Sequence, residues 1–238
     1  MANQNPDVSI VVPVFNEEKV IGNVLRDICS TTSKMSRSSE VIVVNDRSTD
    51  RTAHVVQEFS RQGVQLIDSN NHRGKGGALR SGFEIAKGKC IVMLDGDGSH
   101  QPVDIPRLVD EVFRTKGLVI GSRIYGGSQE YTRIRAFGNI FFTWLFGCIH
   151  GRYLSDALNG FKAFDADIYR KFYCTSNGFE IEIELLANAL ALKRSITEVP
   201  SMELPRQGGE VKSRVIKDGL RFMWRIILEG FRVRKPRP

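Results

Sequence analysis

The chain has 238 residues, of which 41% are hydrophobic and 26% are charged. This composition supplies enough apolar side chains for a folded core and excludes a disordered or fibrous protein. The formal net charge of +7 and the isoelectric point of about 9.4 favour anionic partners, which are nucleic acid, an acidic lipid surface or phosphorylated small molecules.

The first half of the chain predicts alternating strands and helices, because apolar runs that end at turn residues alternate with stretches of helical apolar spacing. The predicted strands are residues 8–14, 41–44, 64–67, 91–94 and 118–121. The predicted helices are residues 17–31, a helix capped by Ser48 or Thr49 that runs to Phe59, residues 78–86 and residues 102–115. This order predicts an α/β fold with a mainly parallel sheet and helices on both faces.

The second half is less regular. Residues 134–149 predict a helix with an aromatic face, residues 161–164 and 195–203 predict strands, and residues 180–193 and 215–231 predict two further helices. The longest nearly apolar stretch, residues 140–149, is too short for a bilayer crossing, which needs about 20 residues. The N-terminus also lacks the basic region of a signal peptide. We therefore expect any membrane contact to be at the surface.

A pair of aspartates follows the fourth predicted strand. Asp95 and Asp97 are separated by one glycine, and two carboxylates at a strand end can bind one hard cation such as Mg²⁺ or Mn²⁺. Gly96 and Gly98 leave room for a diphosphate to approach. A simple polar turn is the alternative interpretation.

Two more polar clusters follow the second and third strands. Asp46 precedes the predicted helix cap and is expected to be free to accept hydrogen bonds from a nucleobase. Lys75 lies among glycines at a helix N-terminus, where backbone N–H groups and the helix dipole favour an anion. A flexible surface turn is the alternative for this second cluster. Ligands bind beyond the carboxyl ends of parallel strands, so these clusters predict one binding site.

The chain resembles the family 2 glycosyltransferases in the order of its motifs. These are VVPVFNEE (residues 11–18), VNDRSTD (44–50), GKGGA (74–78), LDGDGSH (94–100) and GSR (121–123). Three later segments look like the polyprenyl-phosphate branch of that family, which includes the dolichyl-phosphate mannose synthases. They are DALNGFK (156–162), FEIEIEL (179–185) and GGEVKS (208–213).

The resemblance implies a GT-A type nucleotide-sugar-binding fold over residues 1–213, followed by a basic amphipathic helix and tail over residues 214–238. It implies metal-dependent, inverting transfer of a hexose from GDP-mannose or a UDP-hexose to a polyprenyl or dolichyl phosphate, with Mg²⁺ or Mn²⁺ as cofactor.

The resemblance also implies roles for individual residues. The residues that it implies bind the nucleotide-sugar are Pro13, Phe15, Glu17, Asp46, Lys75 and Asp95. It implies that Asp95 and Asp97 bind the metal. The catalytic residues that it implies are Asp97, Arg123 and Arg135. The residues that it implies bind the acceptor are Arg133, Asn139, Asp156, Arg206 and Lys212.

The chain departs from the family at three places. Ser99 stands where a glutamine is frequent, Asn139 is the nearest polar residue to a usual serine, and Val211 interrupts the pattern Gly-Glu-Ser-Lys.

Chemistry favours a phosphate acceptor over a hydroxyl acceptor. A lipid monophosphate is already anionic near neutral pH, so it needs no general base but does need arginines to hold it. Arg123 and Arg135 fit that need. The alternative is an enzyme of the same fold that glycosylates a sugar or protein hydroxyl. A nucleotidyltransferase and a nucleic-acid-binding module are less favoured, and we expect no nucleic-acid partner.

The last predicted helix suggests where the enzyme works. Val215–Phe231 has an apolar side and a charged side, and a basic tail follows it, which is typical of a helix that lies on a membrane surface. We expect a peripheral protein on the cytoplasmic side of a membrane. Packing of this helix on its own domain and a membrane-anchoring partner subunit are the alternatives.

Overall fold

The computed structural model describes residues 5–69, 74–130, 132–172, 174–208 and 215–232. Within these residues the chain forms an α/β fold with one seven-stranded sheet. The strands are β1 (Val8–Val14), β2 (Ser39–Asn45), β3 (Val64–Asp68), β4 (Cys90–Met93), β5 (Leu118–Ser122), β6 (Lys162–Asp165) and β7 (Ile196–Pro200). The helices are α1 (Ile21–Thr32), α2 (Thr52–Gln57), α3 (Lys75–Ile85), α4 (Ile105–Thr115), α5 (Arg123–Gly126), α6 (Arg133–His150), α7 (Asp167–Arg170), α8 (Ile181–Ala191) and α9 (Val215–Phe231).

The sheet has the strand order β3-β2-β1-β4-β6-β5-β7. Strand β6 is antiparallel to both of its neighbours and every other pair is parallel, so the prediction of a mainly parallel sheet is confirmed. The chain builds outward from β1 to β2 and β3, then returns to add β4 on the other side of β1. Such a reversal opens a crevice beyond the carboxyl ends of β1 and β4, where ligands bind in sheets of this kind.

The two faces of the sheet carry separate hydrophobic cores. Along β1, Ile10 and Val12 pack in one core with Leu25 of α1, whereas Val11 packs in the other with Phe83 of α3. Successive side chains of a strand point to opposite faces, and here both faces are covered. The mostly apolar sequence of β1 is therefore explained by burial on both sides.

The helix boundaries differ from the predictions at the start of α1 and α2. Before α1, the Glu17 carbonyl accepts hydrogen bonds from the backbone N–H groups of Val20 and Ile21, so a turn precedes the helix. The prediction that Ser48 or Thr49 caps the next helix is wrong, because α2 begins at Thr52. The Ser48 and Thr49 hydroxyls instead accept hydrogen bonds from Asn16, at 3.0 and 3.2 Å.

The last helix, α9, has the bounds that the sequence predicts. It packs against α6 and α8, and its Ile226 is fully buried in the core. Its other side exposes Leu220, Trp224 and Phe231. The division of the chain at residue 213 stays a prediction. Among the described helices, none is long and apolar enough to cross a membrane.

Candidate active site

A cleft of ≈ 610 Å³ lies beyond the carboxyl ends of the central strands. It is lined by side chains that follow β1, β2 and β4, by the first turn of α3 and by residues from the second half of the chain. Every residue predicted to bind the nucleotide-sugar or the metal lines this cleft: Pro13, Phe15, Glu17, Asp46, Lys75, Asp95 and Asp97. The structure thus brings together the predicted donor site.

The loops after β1 and β2 are held to each other. The Asn16 side chain accepts a hydrogen bond from the Thr49 backbone N–H at 2.8 Å, and Asn16 and Arg47 both have positive φ, at 54° and 62°. A positive φ is uncommon outside glycine and is tolerated best by asparagine and aspartate. These contacts fix the loops that carry Phe15 and Asp46 at the edge of the cleft.

Asp46 is not free, contrary to the prediction. Its two carboxylate oxygens accept hydrogen bonds from the Ser69 hydroxyl at 2.9 Å and from the Gly74 backbone N–H at 2.7 Å. Asp46 therefore ties the loop after β2 to the start of α3. It still lines the cleft, so its role toward a nucleobase stays a prediction.

Two backbone N–H groups in the first turn of α3 also already have a partner. The N–H groups of Gly76 and Gly77 donate to the Asn177 carbonyl at 2.9 and 3.3 Å. A Cβ atom at position 76 would lie 2.6 Å from the carbonyl oxygens of Ser176 and Gly178, so only glycine permits this close approach. The prediction that these backbone N–H groups bind an anion is thus wrong in this structure. Residues 71–73 of the same cluster lie outside the described residues.

Lys75 forms a partly buried charge cluster with two carboxylates. Its Nζ atom lies 2.7 Å from Asp95 Oδ1 and 2.9 Å from Glu182 Oε1. Burial opposes the charge on Lys75, but the attraction of Asp95 and Glu182 outweighs it and raises the pKa of Lys75 well above its usual range. Burial likewise opposes ionisation of Asp95, yet Lys75 and His100 lower the pKa of Asp95 to about 2.

Asp97 is held by a second cation. Its Oδ2 atom lies 2.8 Å from Arg206 Nη2, and its Oδ1 atom accepts hydrogen bonds from the Ser99 backbone N–H and hydroxyl at 3.0 and 2.6 Å. Ser99, the residue that departs from the family pattern, thus orients Asp97. Arg206 was predicted to bind the acceptor, and the structure places it at the rim of the donor cleft as well.

The two aspartates fit a hard divalent cation. Both carboxylates line the same cleft, and each is paired with a positive side chain, Asp95 with Lys75 and Asp97 with Arg206. A metal ion would therefore share these carboxylates with the two cations or replace them. Mg²⁺ typically takes one or two protein carboxylates and completes its shell with substrate phosphates and water. Within the described residues, no group of three or more His, Cys, Asp or Glu side chains is arranged to hold a metal.

A second cavity of ≈ 210 Å³ adjoins the first. The two share Phe179, Arg206 and Asp218 in their walls. Most of the second cavity lies between α6 and α9, and its lining includes Arg123, Arg135, Asn139, Ile134, Phe142 and Phe222. It therefore combines basic and apolar groups. Arg133 is exposed at the start of α6, outside both cavities.

Arg123 is fixed by carboxylates. Asp156 accepts hydrogen bonds from Arg123 Nε at 2.8 Å and Nη2 at 2.7 Å, and Glu203 accepts from Nη1 at 3.2 Å. Asn139 donates to the same Asp156 at 2.9 Å. Asp156 is fully buried, so any role of Asp156 toward an acceptor is indirect and runs through Arg123. Lys212, predicted to bind the acceptor, lies outside the described residues.

Buried charges in the second half of the chain escaped sequence reasoning. Glu182, Glu203 and Lys162 are all largely buried. Lys162 Nζ donates to the carbonyls of Ala157 and Asn159 and so holds the turn that follows Asp156. Burial lowers the pKa of Lys162 to about 8. The position of Glu182 within the apolar helix α8 could have indicated a buried charge pair. Charged residues are almost never fully buried without a partner.

Comparison with known proteins supports the predicted fold and family. The sequence profile of Glycosyl transferase family 2 matches residues 9–173. Glycosyltransferase AglJ of Haloferax volcanii is 30% identical over 90% of this chain and 69% of its own length. The dolichyl-phosphate beta-glucosyltransferase of Drosophila melanogaster is 29% identical over 83% of this chain and 68% of its own length.

A solved structure shares the fold. Glucosyl-3-phosphoglycerate synthase from Mycobacterium tuberculosis, in complex with Mn²⁺, uridine diphosphate and glucosyl-3-phosphoglycerate, superposes with a TM-score of 0.69. It is 21% identical, and the match covers 94% of this chain and 80% of that one. Together with the motif order and the cleft at the sheet reversal, these matches show that the chain is a glycosyltransferase with a GT-A fold and belongs to Glycosyl transferase family 2.

Proposed function

We propose that this enzyme transfers a hexose from a nucleotide-sugar, GDP-mannose or a UDP-hexose, to a polyprenyl or dolichyl phosphate, with inversion at the anomeric carbon. The observation that carries the proposal is the pair of adjoining cavities. One contains the aspartates suited to a metal and a diphosphate. The other contains arginines between apolar helix surfaces.

In the donor cavity, this chain's residues bind and orient the nucleotide-sugar. Phe15, Glu17 and Asp46 lie at the end suited to the nucleoside, and Lys75 and Arg206 lie where the diphosphate would approach Asp95 and Asp97. We propose that Asp95 and Asp97 hold Mg²⁺ or Mn²⁺, which neutralises charge that develops on the leaving diphosphate. The Mycobacterium tuberculosis enzyme of the same fold is in complex with Mn²⁺ and uridine diphosphate, which supports this proposal.

In the acceptor cavity, the arginines would hold a phosphate group. Asp156 and Glu203 fix the Arg123 guanidinium, and Arg135 lies nearby with a 3.6 Å contact to Glu130. Ile134, Phe142 and Phe222 provide an apolar wall beside them, which suits the first units of a lipid chain. Because the cavities share three residues, an acceptor phosphate oxygen can attack the anomeric carbon while the bond from that carbon to the nucleoside diphosphate breaks. This single displacement releases the nucleoside diphosphate and inverts the anomeric carbon.

The surface around the acceptor cavity suits a peripheral membrane protein. Both flanking helices expose large apolar side chains, which are Ile134, Phe137, Ile140, Phe141 and Trp144 on α6, and Leu220, Trp224, Ile227, Leu228 and Phe231 on α9. Exposed apolar areas of this kind mark interaction or membrane sites. We propose that this face lies on the cytoplasmic side of a membrane. A membrane-anchoring subunit that covers the same face is the alternative outcome of the tests below.

The function is tested by supplying donors and acceptors separately. The purified protein is incubated with GDP-mannose, UDP-glucose or a UDP-N-acetylhexosamine, Mn²⁺ or Mg²⁺, and liposomes with or without polyprenyl phosphate. We expect lipid-linked sugar of inverted configuration with one donor, only when lipid phosphate and metal are both present. Transfer to a soluble sugar or protein hydroxyl without lipid phosphate would contradict the proposed acceptor.

A further inference from the structure

Glu182 has an unused carboxylate oxygen in a buried position. Glu182 lies on α8 and is 1% exposed, and its Oε1 atom lies 2.9 Å from Lys75 Nζ. Its Oε2 atom is buried and has no hydrogen-bond partner among the described residues. A buried polar atom without a partner costs free energy, so this oxygen is suited to a hydrogen-bond donor that arrives with a ligand.

The position of Glu182 is the junction of the two cavities. Glu182 lines the acceptor cavity beside Phe179 and Arg206, while its partner Lys75 and the neighbouring Asp95 line the donor cavity. Any sugar that passes from a diphosphate in the first cavity to a phosphate in the second must lie between them. The Lys75 charge, which Glu182 shares with Asp95, offsets part of the negative charge of Glu182 and so reduces the repulsion between this carboxylate and a diphosphate.

Gly160 keeps this junction open. A Cβ atom at this position would lie 2.5 Å from Lys75 Nζ and 2.9 Å from Asp95 Oδ2, and 3.4 Å from Glu182 Oε1. Any side chain at position 160 would therefore displace the cluster that holds Glu182. The bare backbone lets the three charged groups face the cavities together.

We propose that Glu182 accepts a hydrogen bond from a hydroxyl group of the transferred hexose and so selects the sugar. The inference rests on the proposed function, because it requires a nucleotide-sugar donor. A site built to hydrogen-bond a substrate hydroxyl discriminates strongly against an analogue that lacks it, since the buried protein group is then left without a partner. Glu182 is thus a specificity-determining residue, separate from the groups that hold the diphosphate.

The test separates binding of the sugar from binding of the nucleotide. Titration calorimetry measures the dissociation constants of GDP and GDP-mannose, or of UDP and UDP-glucose, for the wild type and for Glu182→Gln. We expect the constant for the free nucleotide to change by less than about threefold and that for the nucleotide-sugar to rise about tenfold, as for loss of one hydrogen bond to a charged group. Glu180→Gln, the same change of charge on a partly exposed neighbour, should leave both constants unchanged.

A second measurement identifies the contact itself. Deoxy analogues of the donor sugar, each lacking one hydroxyl, are titrated against the wild type, Glu182→Gln and Glu182→Asp. Glu182→Asp keeps the charge opposite Lys75 but withdraws the oxygens by one carbon, which provides a test if the glutamine variant folds poorly. One deoxy position should weaken binding to the wild type about tenfold and have little effect in both variants.

The outcomes are distinguishable. Equal losses for nucleotide and nucleotide-sugar, or a wild-type deoxy profile in both variants, would overturn the role of Glu182, and its free oxygen would then bind only water. A wild type that transfers sugar to lipid phosphate while Glu182→Gln keeps full affinity also refutes only this inference. A wild type that binds no nucleotide-sugar refutes the proposed function.

Discussion

The donor cavity and the acceptor cavity are built from different kinds of structure. In the donor cavity, the acidic side chains Asp46, Asp95 and Asp97 follow strands of the parallel sheet. The two aspartates suited to a metal each meet a cation, Asp95 with Lys75 and Asp97 with Arg206. In the acceptor cavity, the walls are helices α6 and α9, and one arginine, Arg123, is enclosed by two carboxylates.

This difference assigns different physical tasks to the two regions. Strand ends converge at one edge of a sheet because the sheet itself is rigid, so the donor cavity can bring charges together from distant parts of the chain. The acceptor cavity borders helices with exposed apolar faces, which suits a substrate with one charged end and a long apolar tail. The predictions below ask whether the two regions can be impaired independently.

The largest expected effect lies in the donor cavity. Asp97→Asn removes a charge from the diphosphate side while retaining an oxygen that can accept the Ser99 hydrogen bonds. We expect kcat/KM for sugar transfer to fall about 10³-fold, the loss typical when one electrostatic stabiliser of a transition state is removed. Steady-state kinetics measures the loss, and the melting temperature should change little.

Asp110→Asn is the matched control for Asp97→Asn, because the Asp110 side chain is 72% exposed, forms an ion pair with Arg37 at 3.5 Å and lines neither cavity. It should retain full activity.

Chelation of the metal by EDTA should reduce the activity of the wild type as much as Asp97→Asn does. Wild-type turnover that persists in EDTA would refute the metal role of Asp95 and Asp97.

The second effect lies in the acceptor cavity and concerns stability. Burial would raise the pKa of Asp156, but the hydrogen bonds and charge of Arg123 outweigh it and hold this pKa below its usual value. Asp156→Ala leaves Arg123 and Asn139 without that acceptor, so we expect a loss of about 3 kcal/mol in the free energy of unfolding. Urea denaturation at pH 7 measures it.

The pH dependence follows from the direction of that shift. A carboxyl whose pKa is lower in the folded state stabilises the fold fully above its unfolded pKa and loses this contribution as the pH falls through the folded value. The wild type should therefore lose stability below about pH 4, and Asp156→Ala should lose less over the same range. Parallel pH profiles for the two proteins would show that Asp156 does not carry this dependence.

The same contrast explains how far the sequence alone could predict the molecule. Runs such as Val8–Val14 are mostly apolar on both faces, and each is followed by a polar turn, so the strands of the first half, their mainly parallel pairing and the donor cavity could be predicted. The local use of polar groups could not. Gly76 and Gly77 looked like an anion site, but tertiary contacts with Asn177 occupy their N–H groups.

The acceptor cavity was harder to predict because its geometry depends on long-range pairs. Glu203 meets Arg123 across 80 positions of sequence, and Lys75 meets Glu182 across 107, distances over which no periodicity in the chain gives a signal. The short helices α5 and α7 were not predicted for a related reason. With four residues each, they are too short to show an apolar repeat.

A third effect distinguishes two neighbouring arginines. Arg135 lines the acceptor cavity, whereas Arg133 is exposed outside it. Arg135→Ala should raise the KM for polyprenyl phosphate about tenfold, which corresponds to one lost charge-assisted hydrogen bond, without changing the dissociation constant of the nucleotide-sugar. Arg133→Ala is the matched control and should change neither quantity. A larger effect of Arg133→Ala would mean that the acceptor approaches from outside the cavity.

The smallest expected effect concerns the membrane, which the exposed face of α9 should contact. Truncation after residue 213 is a poor test, because α9 also supplies the fully buried Ile226 to the core and Asp218 to both cavities. A point change on the exposed side avoids this problem.

Trp224 is 66% exposed, and Trp224→Ser should reduce binding to liposomes with anionic lipid about fivefold, because a partly inserted aromatic ring contributes only part of its burial free energy. Val103→Ser, at an equally exposed apolar position outside α6 and α9, should have no effect. High salt should weaken binding of the wild type, since basic side chains near the surface are attracted to anionic headgroups and salt screens that attraction. If Trp224→Ser binds liposomes as well as the wild type does, α9 does not carry the contact. The exposed stripe of α6 around Phe141 and Trp144 would then be the next surface to change, and a wild type that binds no liposomes at all would indicate an anchoring subunit.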